Sequence, residues 1–364
     1  MTSFSNVLDA AFGPVLSAGP SPFSELIATF IAGYREFERT GETPVPAYLA
    51  MRRLFCATNG EFNDLVHQLL SKNTGGGARP AAASGVLGAT DDARLDTIVE
   101  AIGRDGFYVF EQRLPEEVCD GLRGLALRTP CKLGGIGGVA GGPQLYDRAR
   151  LVANRYDLPE AVVAANADVQ ALLLDESIRA VATAYLGCTP ILDFVSMWWV
   201  APFSNSVEAL SKAAQLYHFD MDRLKFLKFF IYLSDVTSVS SPHCYVRGSC
   251  RRKPRELLRD GRIPDDEIAR HFPPGDLVEL TAPRGSIFAV DTRGFHKGKA
   301  PEAGERLLLQ LEFTNSLFGQ NYGRIELDAE ACTPRFQAYL ASQSAASGRF
   351  HLASTAPRHV RAAG

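Results

Sequence analysis

Two different periods of apolar residues divide the chain. Between residues 23 and 39, Leu26, Ile27, Phe30, Ile31 and Tyr34 recur at spacings of three and four, the stripe of an amphipathic helix. Ser24 is the candidate cap for its start and Gly41 follows its end. Residues 46–57 and 61–71 predict two more helices, so residues 1–73 read as a helical N-terminal region. Helices are also predicted over 91–104, 115–127 and 167–186, the last burying Leu172, Leu173, Ile178, Val181 and Ala182. Residues 106–111 and 190–201 read as strands. The second carries Trp198 and Trp199, which as strand neighbours face opposite sides. One is expected to pack outward against a helix and the other to look inward. From residue 215 onward the period falls to two, over 215–222, 226–235, 242–247, 277–281, 286–291 and 305–315. Short strands behind a set of helices predict an α+β chain with a mainly β core, a jelly roll flanked by helices.

Glycine, alanine and proline between Gly75 and Gly85 mark a linker. The expected organisation is a helical region 1–73, a linker 74–90, a β domain 91–330, and a C-terminal helix with a flexible tail at 331–364. The insertion 252–271 is longer than a hairpin needs, and insertions of this size often cover a site. The glycine-rich residues 134–142 lack the flanking strand and helix of a dinucleotide turn and read as a mobile loop or lid. His67 sits beside Leu65 and Leu69 with nothing near it to complete a site, and reads as a packing residue.

The candidate chemistry lies in the β part. In an extended chain His218 and Asp220 share a face. They supply two ligands of a two-histidine, one-carboxylate metal site, and His296 is the candidate for the third. Asp222 is on the same face in a regular strand and competes with Asp220. On the strand that begins near residue 305, Leu307, Leu309, Leu311 and Phe313 form one face. Arg306, Leu308, Gln310, Glu312 and Thr314 form the other, and a polar face inside a barrel fits a ligand-holding cavity. Cys244 and Cys250 are spaced more widely than a zinc pair and no second pair follows, so they and His243 and His271 do not read as a zinc site.

His218-Phe219-Asp220, His296, and Arg306 ten positions after it are together similar to the Fe(II)/2-oxoglutarate dioxygenases, and within them to the phytanoyl-CoA dioxygenase family. The resemblance covers roughly residues 95–320. Asp105-Gly106-Phe107 resembles the family's opening strand, and Val246-Arg247-Gly248-Ser249-Cys250 its "GSH" turn, with Cys250 in place of His. Gly298 stands where the family often has a serine. The resemblance implies a double-stranded β-helix (cupin-like) with Fe(II) on His218, Asp220 and His296. It implies 2-oxoglutarate as cosubstrate, its far carboxylate on Arg306, with Gln310 and Thr314 as further contacts. It also implies O2 and the oxidation of a small organic molecule, with release of succinate and CO2. Trp198, Trp199, Asp222 and Arg223 are the candidate substrate contacts. The retained carboxylate of Asp220 argues against the halogenating branch. The other class that fits is a metal-binding jelly roll without catalysis, a sensor or structural protein.

Composition narrows this little further. The chain of 364 residues is 46% hydrophobic and 22% charged, as soluble domains are. A net charge of −3 and the absence of a Lys/Arg block give no sign of nucleic-acid binding. Seven scattered cysteines point to a reducing compartment, and no apolar stretch of roughly 18 residues predicts a membrane span. The expectation is a cytoplasmic protein whose partner is a small molecule.

Overall fold

The described residues form strands β1 (Ala83–Gly85), β2 (Gly88–Thr90), β3 (Phe107–Arg113), β4 (Lys132–Gly134), β5 (Arg155–Asp157), β6 (Ile191–Val200), β7 (Phe226–Tyr232), β8 (His243–Val246), β9 (Leu277–Leu280), β10 (Ser286–Val290), β11 (His296–Gly298), β12 (Arg306–Thr314), β13 (Ile325–Leu327) and β14 (Phe350–Leu352). The computed structural model describes residues 3–77, 82–135, 142–343 and 348–353. Most of the expected lid, four residues of the linker and most of the C-terminal tail lie outside these described residues.

Every residue of β12 is buried, because it is central in a seven-stranded sheet of order β3-β10-β7-β12-β6-β5-β4. All neighbours are antiparallel. One face of this sheet carries Leu307, Leu309, Leu311, Phe229 and Ile231 and packs on helices. These include α5 (Asp92–Asp105), α6 (Glu116–Arg128) and, after the short α7 (Glu160–Ala164) and α8 (Ala167–Leu173), α9 (Glu176–Leu186). The opposite face carries Trp198, Phe230, Tyr232, Phe288 and Leu308. It meets Tyr245 and Leu280 of a second antiparallel sheet of order β11-β8-β9. The result is a mixed architecture of helices, a large antiparallel sheet and a small one. The candidate site sits between the two sheets.

The helices of the N-terminal region are α1 (Phe4–Ser17), α2 (Pro22–Thr40), α3 (Val45–Thr58) and α4 (Glu61–Asn73). Their core of Phe30, Tyr34, Leu54 and Phe62 includes two residues from far along the chain, Leu224 and Phe318. The bundle is thus packed on the β part. Within the expected linker, β1 and β2 pair as a hairpin. The Asp175 carboxylate accepts the Val86 N–H at 2.9 Å and ties that hairpin to α9.

Two predicted elements differ. The helix expected over 167–186 is broken into Ala167–Leu173 and Glu176–Leu186. Asp175 is the cause: its side chain accepts the Ile178 N–H at 3.0 Å and caps a new helix, an alternative to continuing the old one. The strand expected over 215–222 makes only isolated bridges, Tyr217 to Ile263 and His218 to His296. Among the described residues no helix is long and apolar enough to cross a membrane.

Candidate metal centre and its cavity

His218 lies beside β11, exchanging backbone hydrogen bonds with His296 at 3.0 and 2.8 Å. Two residues on, the Asp220 N–H donates to the Thr292 carbonyl at 2.8 Å. Extended backbone between these two anchors puts both side chains on one face. The Nδ1 of His218 donates to the Leu216 carbonyl at 2.9 Å, and that of His296 to the Gly294 carbonyl at 3.0 Å. A carbonyl only accepts, so the proton is on Nδ1 in both rings and each Nε2 is a bare lone pair. These nitrogens lie 3.7 Å from Asp220 Oδ1 and 3.6 Å from Oδ2 respectively. The three ligand atoms are all within 4.8 Å of one another.

Burial holds both imidazoles below the usual histidine range, which keeps them neutral. Burial pushes the Asp220 carboxyl up, but Lys228 and the two histidines together bring it below the ordinary carboxylate range. Two neutral imidazole nitrogens and one carboxylate are a donor set for Fe(II), and also for Mn, Co, Ni or Zn.

The turn that delivers these ligands is packed tightly from outside. A Cβ at Gly294 would lie 1.9 Å from the Tyr245 hydroxyl, which donates to the Asp291 carbonyl at 2.6 Å. Only glycine fits that close approach. Gly319, at φ +139°, would place a Cβ 2.0 Å from the Asp222 carbonyl. Arg293 reaches Asp291 at 2.9 Å and Asp64 of α4 at 2.7 Å. Phe219, between the two ligands, stacks on Phe55 of α3 with centroids 5.6 Å apart. The ammonium of Lys253 lies over both rings, at 5.0 and 5.1 Å.

His218, Asp220 and His296 open on an interior cavity of about 210 Å³. Arg306 lies in its wall, 3% exposed, donating from one terminal nitrogen to the Ser241 carbonyl at 2.5 Å. Its Nε is buried with no hydrogen-bond partner. Leu308, Gln310 and Glu312 continue the same wall, as the alternation of β12 requires. Gly298 lies against the guanidinium, where a Cβ would be 3.1 Å from it. Lys228 bridges Asp220 Oδ2 at 2.8 Å and Glu312 at 3.4 Å. Burial raises the Glu312 carboxyl well above the usual range, with Lys228 pulling against it.

Trp198 lines this cavity with the Arg155 guanidinium 4.2 Å from its ring centre. Trp199 faces the other side of the sheet, stacked on Tyr146 at 4.4 Å with Arg123 over it. The structure does not bring it to the ligand atoms. Arg223 is likewise spent elsewhere, on Asp193 at 2.6 and 2.7 Å and the Gln320 carbonyl at 2.5 Å. The Thr314 hydroxyl donates to the Lys225 carbonyl at 2.8 Å and stands outside the cavity. Asp222 leaves the His218–Asp220 face because the chain does not continue as a strand. It lines a second cavity, where burial and the neighbouring Asp220 raise its carboxyl above the ordinary carboxylate range.

Three further residues line the cavity that the sequence pattern does not place beside the ligands: His243, Lys228 and Arg155. His243 stacks 5.5 Å from the His296 ring, and its Nε2 is buried without a partner. Its signal is the alternation of β8, which puts it on the face of Tyr245. Lys228 is signalled by a lysine within an otherwise apolar strand. Arg155 has no signal of that kind, since β5 is three residues long.

No family model matches the sequence and no curated protein matches it. Solved structures with a similar outline include SnoK, a non-heme alpha ketoglutarate dependent carbocyclase from nogalamycin biosynthesis. It is 17% identical over 60% of this chain and 82% of its own, with a TM-score of 0.43. The epimerase SnoN from the same biosynthesis is 17% identical over 62% of this chain and 84% of its own, at 0.42. HygX from Streptomyces hygroscopicus, solved with nickel and 2-oxoglutarate bound, is 17% identical over 66% of this chain and 93% of its own, at 0.40. At these values the likeness carries no argument about this chain, and the functional reading rests on the site itself.

Proposed function

We propose that the chain is a double-stranded β-helix oxygenase of the phytanoyl-CoA dioxygenase type, using Fe(II), 2-oxoglutarate and O2 to oxidise a small molecule. One observation carries the reading. Two Nε2 atoms with fixed tautomers converge with a carboxylate within 4.8 Å, and a buried arginine with an unpartnered Nε lies in the wall of the same cavity. His218, Asp220 and His296 would hold the metal, which when bound supplies the O2 chemistry coupled to decarboxylation of 2-oxoglutarate.

The rest falls to the chain's own groups. Arg306 holds the far carboxylate by charge-assisted hydrogen bonds, with its Nε free to donate. Lys228 donates to Asp220 Oδ2 at 2.8 Å, keeping the carboxylate ionised and oriented toward the two histidines. Trp198, Phe230 and Leu308 wall the cavity with apolar surface and exclude water. Gln310, four positions after Arg306 on the same face, lines the cavity with its amide nitrogen donating to Glu312 at 3.3 Å, which leaves its carbonyl oxygen toward the cavity as a further polar contact.

The test is an anaerobic titration of the Fe(II)-loaded protein with 2-oxoglutarate, following the metal-to-ligand charge-transfer band. A saturable band supports the reading. Tight metal binding with no band overturns it in favour of a metal-binding protein without oxygenase activity.

A further inference from the structure

The candidate metal centre opens on two cavities, and the second has an unspent charge. This outer chamber, of about 240 Å³, shares His218 and Asp220 with the inner one. Its far wall comes from the insertion 252–271, through Asp260, Gly261 and Arg262. Arg52 of α3 is also there, but it is committed to Asp260, at 2.9 Å through its Nε, and to the Tyr48 hydroxyl at 2.6 Å. Asp222 lines it too, next to Asp220. Among the described residues Arg262 makes no hydrogen bond or ion pair; the carboxylates it faces at longer range are Asp220, which Lys228 already holds, and Asp260, which Arg52 holds.

Arg262 is held in place. The preceding pair Arg52–Asp260 fastens one side of it to α3. On the other, the Ile263 N–H donates to the Tyr217 carbonyl at 2.8 Å, and the Ile263 side chain is fully buried. Its half-buried guanidinium therefore sits between two fixed points, next to the segment that carries His218 and Asp220. A planar fork of donors in that position matches one chemistry, an oxyanion taken by two parallel hydrogen bonds.

The geometry points to the outer chamber as the substrate pocket and to Arg262 as its anchor for a carboxylate or phosphate group. The inference rests on the reading above, which gives the inner chamber and Arg306 to 2-oxoglutarate. The substrate is then a small organic acid or phosphate ester. Its anionic end is held by the insertion and its remaining atoms lie over the shared wall of His218 and Asp220. Arg262 is a specificity residue in this arrangement, with no part in holding the metal.

The experiment uses the full chain loaded with Ni(II) and saturated with 2-oxoglutarate, so that Arg306 is occupied. It is titrated calorimetrically with inorganic phosphate and, separately, with acetate. The wild type should bind at least one of the two anions, the tighter one identifying the group. Arg262→Gln should weaken that binding by about tenfold or more, and Arg262→Lys should recover part of it. The 2-oxoglutarate affinity of both variants should stay within about twofold of wild type, since Arg306 is untouched. Equal anion affinity in wild type and Arg262→Gln overturns the inference, as does failure of the wild type to bind either anion. Should the protein bind no 2-oxoglutarate, the titration is repeated on the metal-free Arg306→Gln chain. Anion binding that still depends on Arg262 then keeps the outer site while the oxygenase reading falls, and binding that does not overturns both.

Discussion

Strand β12 is buried along its whole length and hydrogen-bonded to a neighbour on each side, whereas residues 217–224 make only isolated bridges. Both deliver residues to the same cavity. In β12 the ladder sets where Arg306 points, through its register with Val200 of β6 and the β7 pairing that begins at Leu308. In the ligand segment the placement depends on contacts from elsewhere: the Thr292 carbonyl under Asp220, Phe55 against Phe219, and Arg293 tying the next turn to Asp64. The difference teaches that a regular element carries a site residue by its own geometry. An irregular one needs neighbours that are remote in sequence, and here many of them come from the N-terminal helices.

The largest expected effect tests the ligand segment directly. Replacing His218, Asp220 or His296 with Ala should abolish tight Fe(II) binding with the fold retained, as measured by metal titration and circular dichroism. Asp222→Asn should keep the metal; loss in this variant with retention in Asp220→Asn would reverse the carboxylate assignment. Phe55→Ala comes next. Truncating a fully buried phenylalanine costs about 3–5 kcal/mol. If the bundle props the ligand segment, denaturant unfolding should show that loss and Fe(II) affinity should fall with it. Unchanged metal affinity would mean that the segment stands by itself.

The counterpart in β12 is Arg306→Ala. Removing a charge that holds a buried carboxylate costs about 2–5 kcal/mol, which is roughly 30-fold or more in 2-oxoglutarate affinity. Fe(II) affinity should barely move, because the ladder and not the arginine holds the strand. The smallest effect concerns pH. Burial lowers His67 to about 3, and its Nδ1 accepts from Asn315 at 2.8 Å. A depressed histidine contributes stability that is present above about pH 6.5 and lost as pH falls toward its folded value. His67→Gln should therefore flatten the fall in melting temperature between roughly pH 6.5 and 4. A wild-type profile already flat over that range would show that the bundle loosens around His67 before it titrates.

The same contrast explains what was legible. The face of β12 was readable because alternation alone separates Arg306, Leu308, Gln310 and Glu312 from the leucines. His218, Asp220 and His296 come together as their spacing suggests. Arg223 was misleading, since its partner Asp193 lies on a separate strand and nothing local announces the pair. Thr314 shares the face of Arg306 but lies at the far end of the strand, beyond the cavity. His243 was passed over because its value comes from stacking on His296, a contact between strands that sequence distance hides. The break at Asp175 was hidden for a different reason: the apolar stripe continues across it, and only the capping bond reveals the new start.

Arg293 meets Asp64, and Asn315 meets His67, across 229 and 248 positions of sequence. During synthesis the four helices therefore leave the ribosome long before their partners exist. At about 5–20 residues per second, the interval is roughly ten to fifty seconds. Throughout it the face around Phe30, Phe55 and Phe62 has neither Phe219 nor Phe318 to cover it. A nascent chain in that state offers an aromatic surface to other chains or to a chaperone, and no metal site can close until the last strands of the sheet have been made.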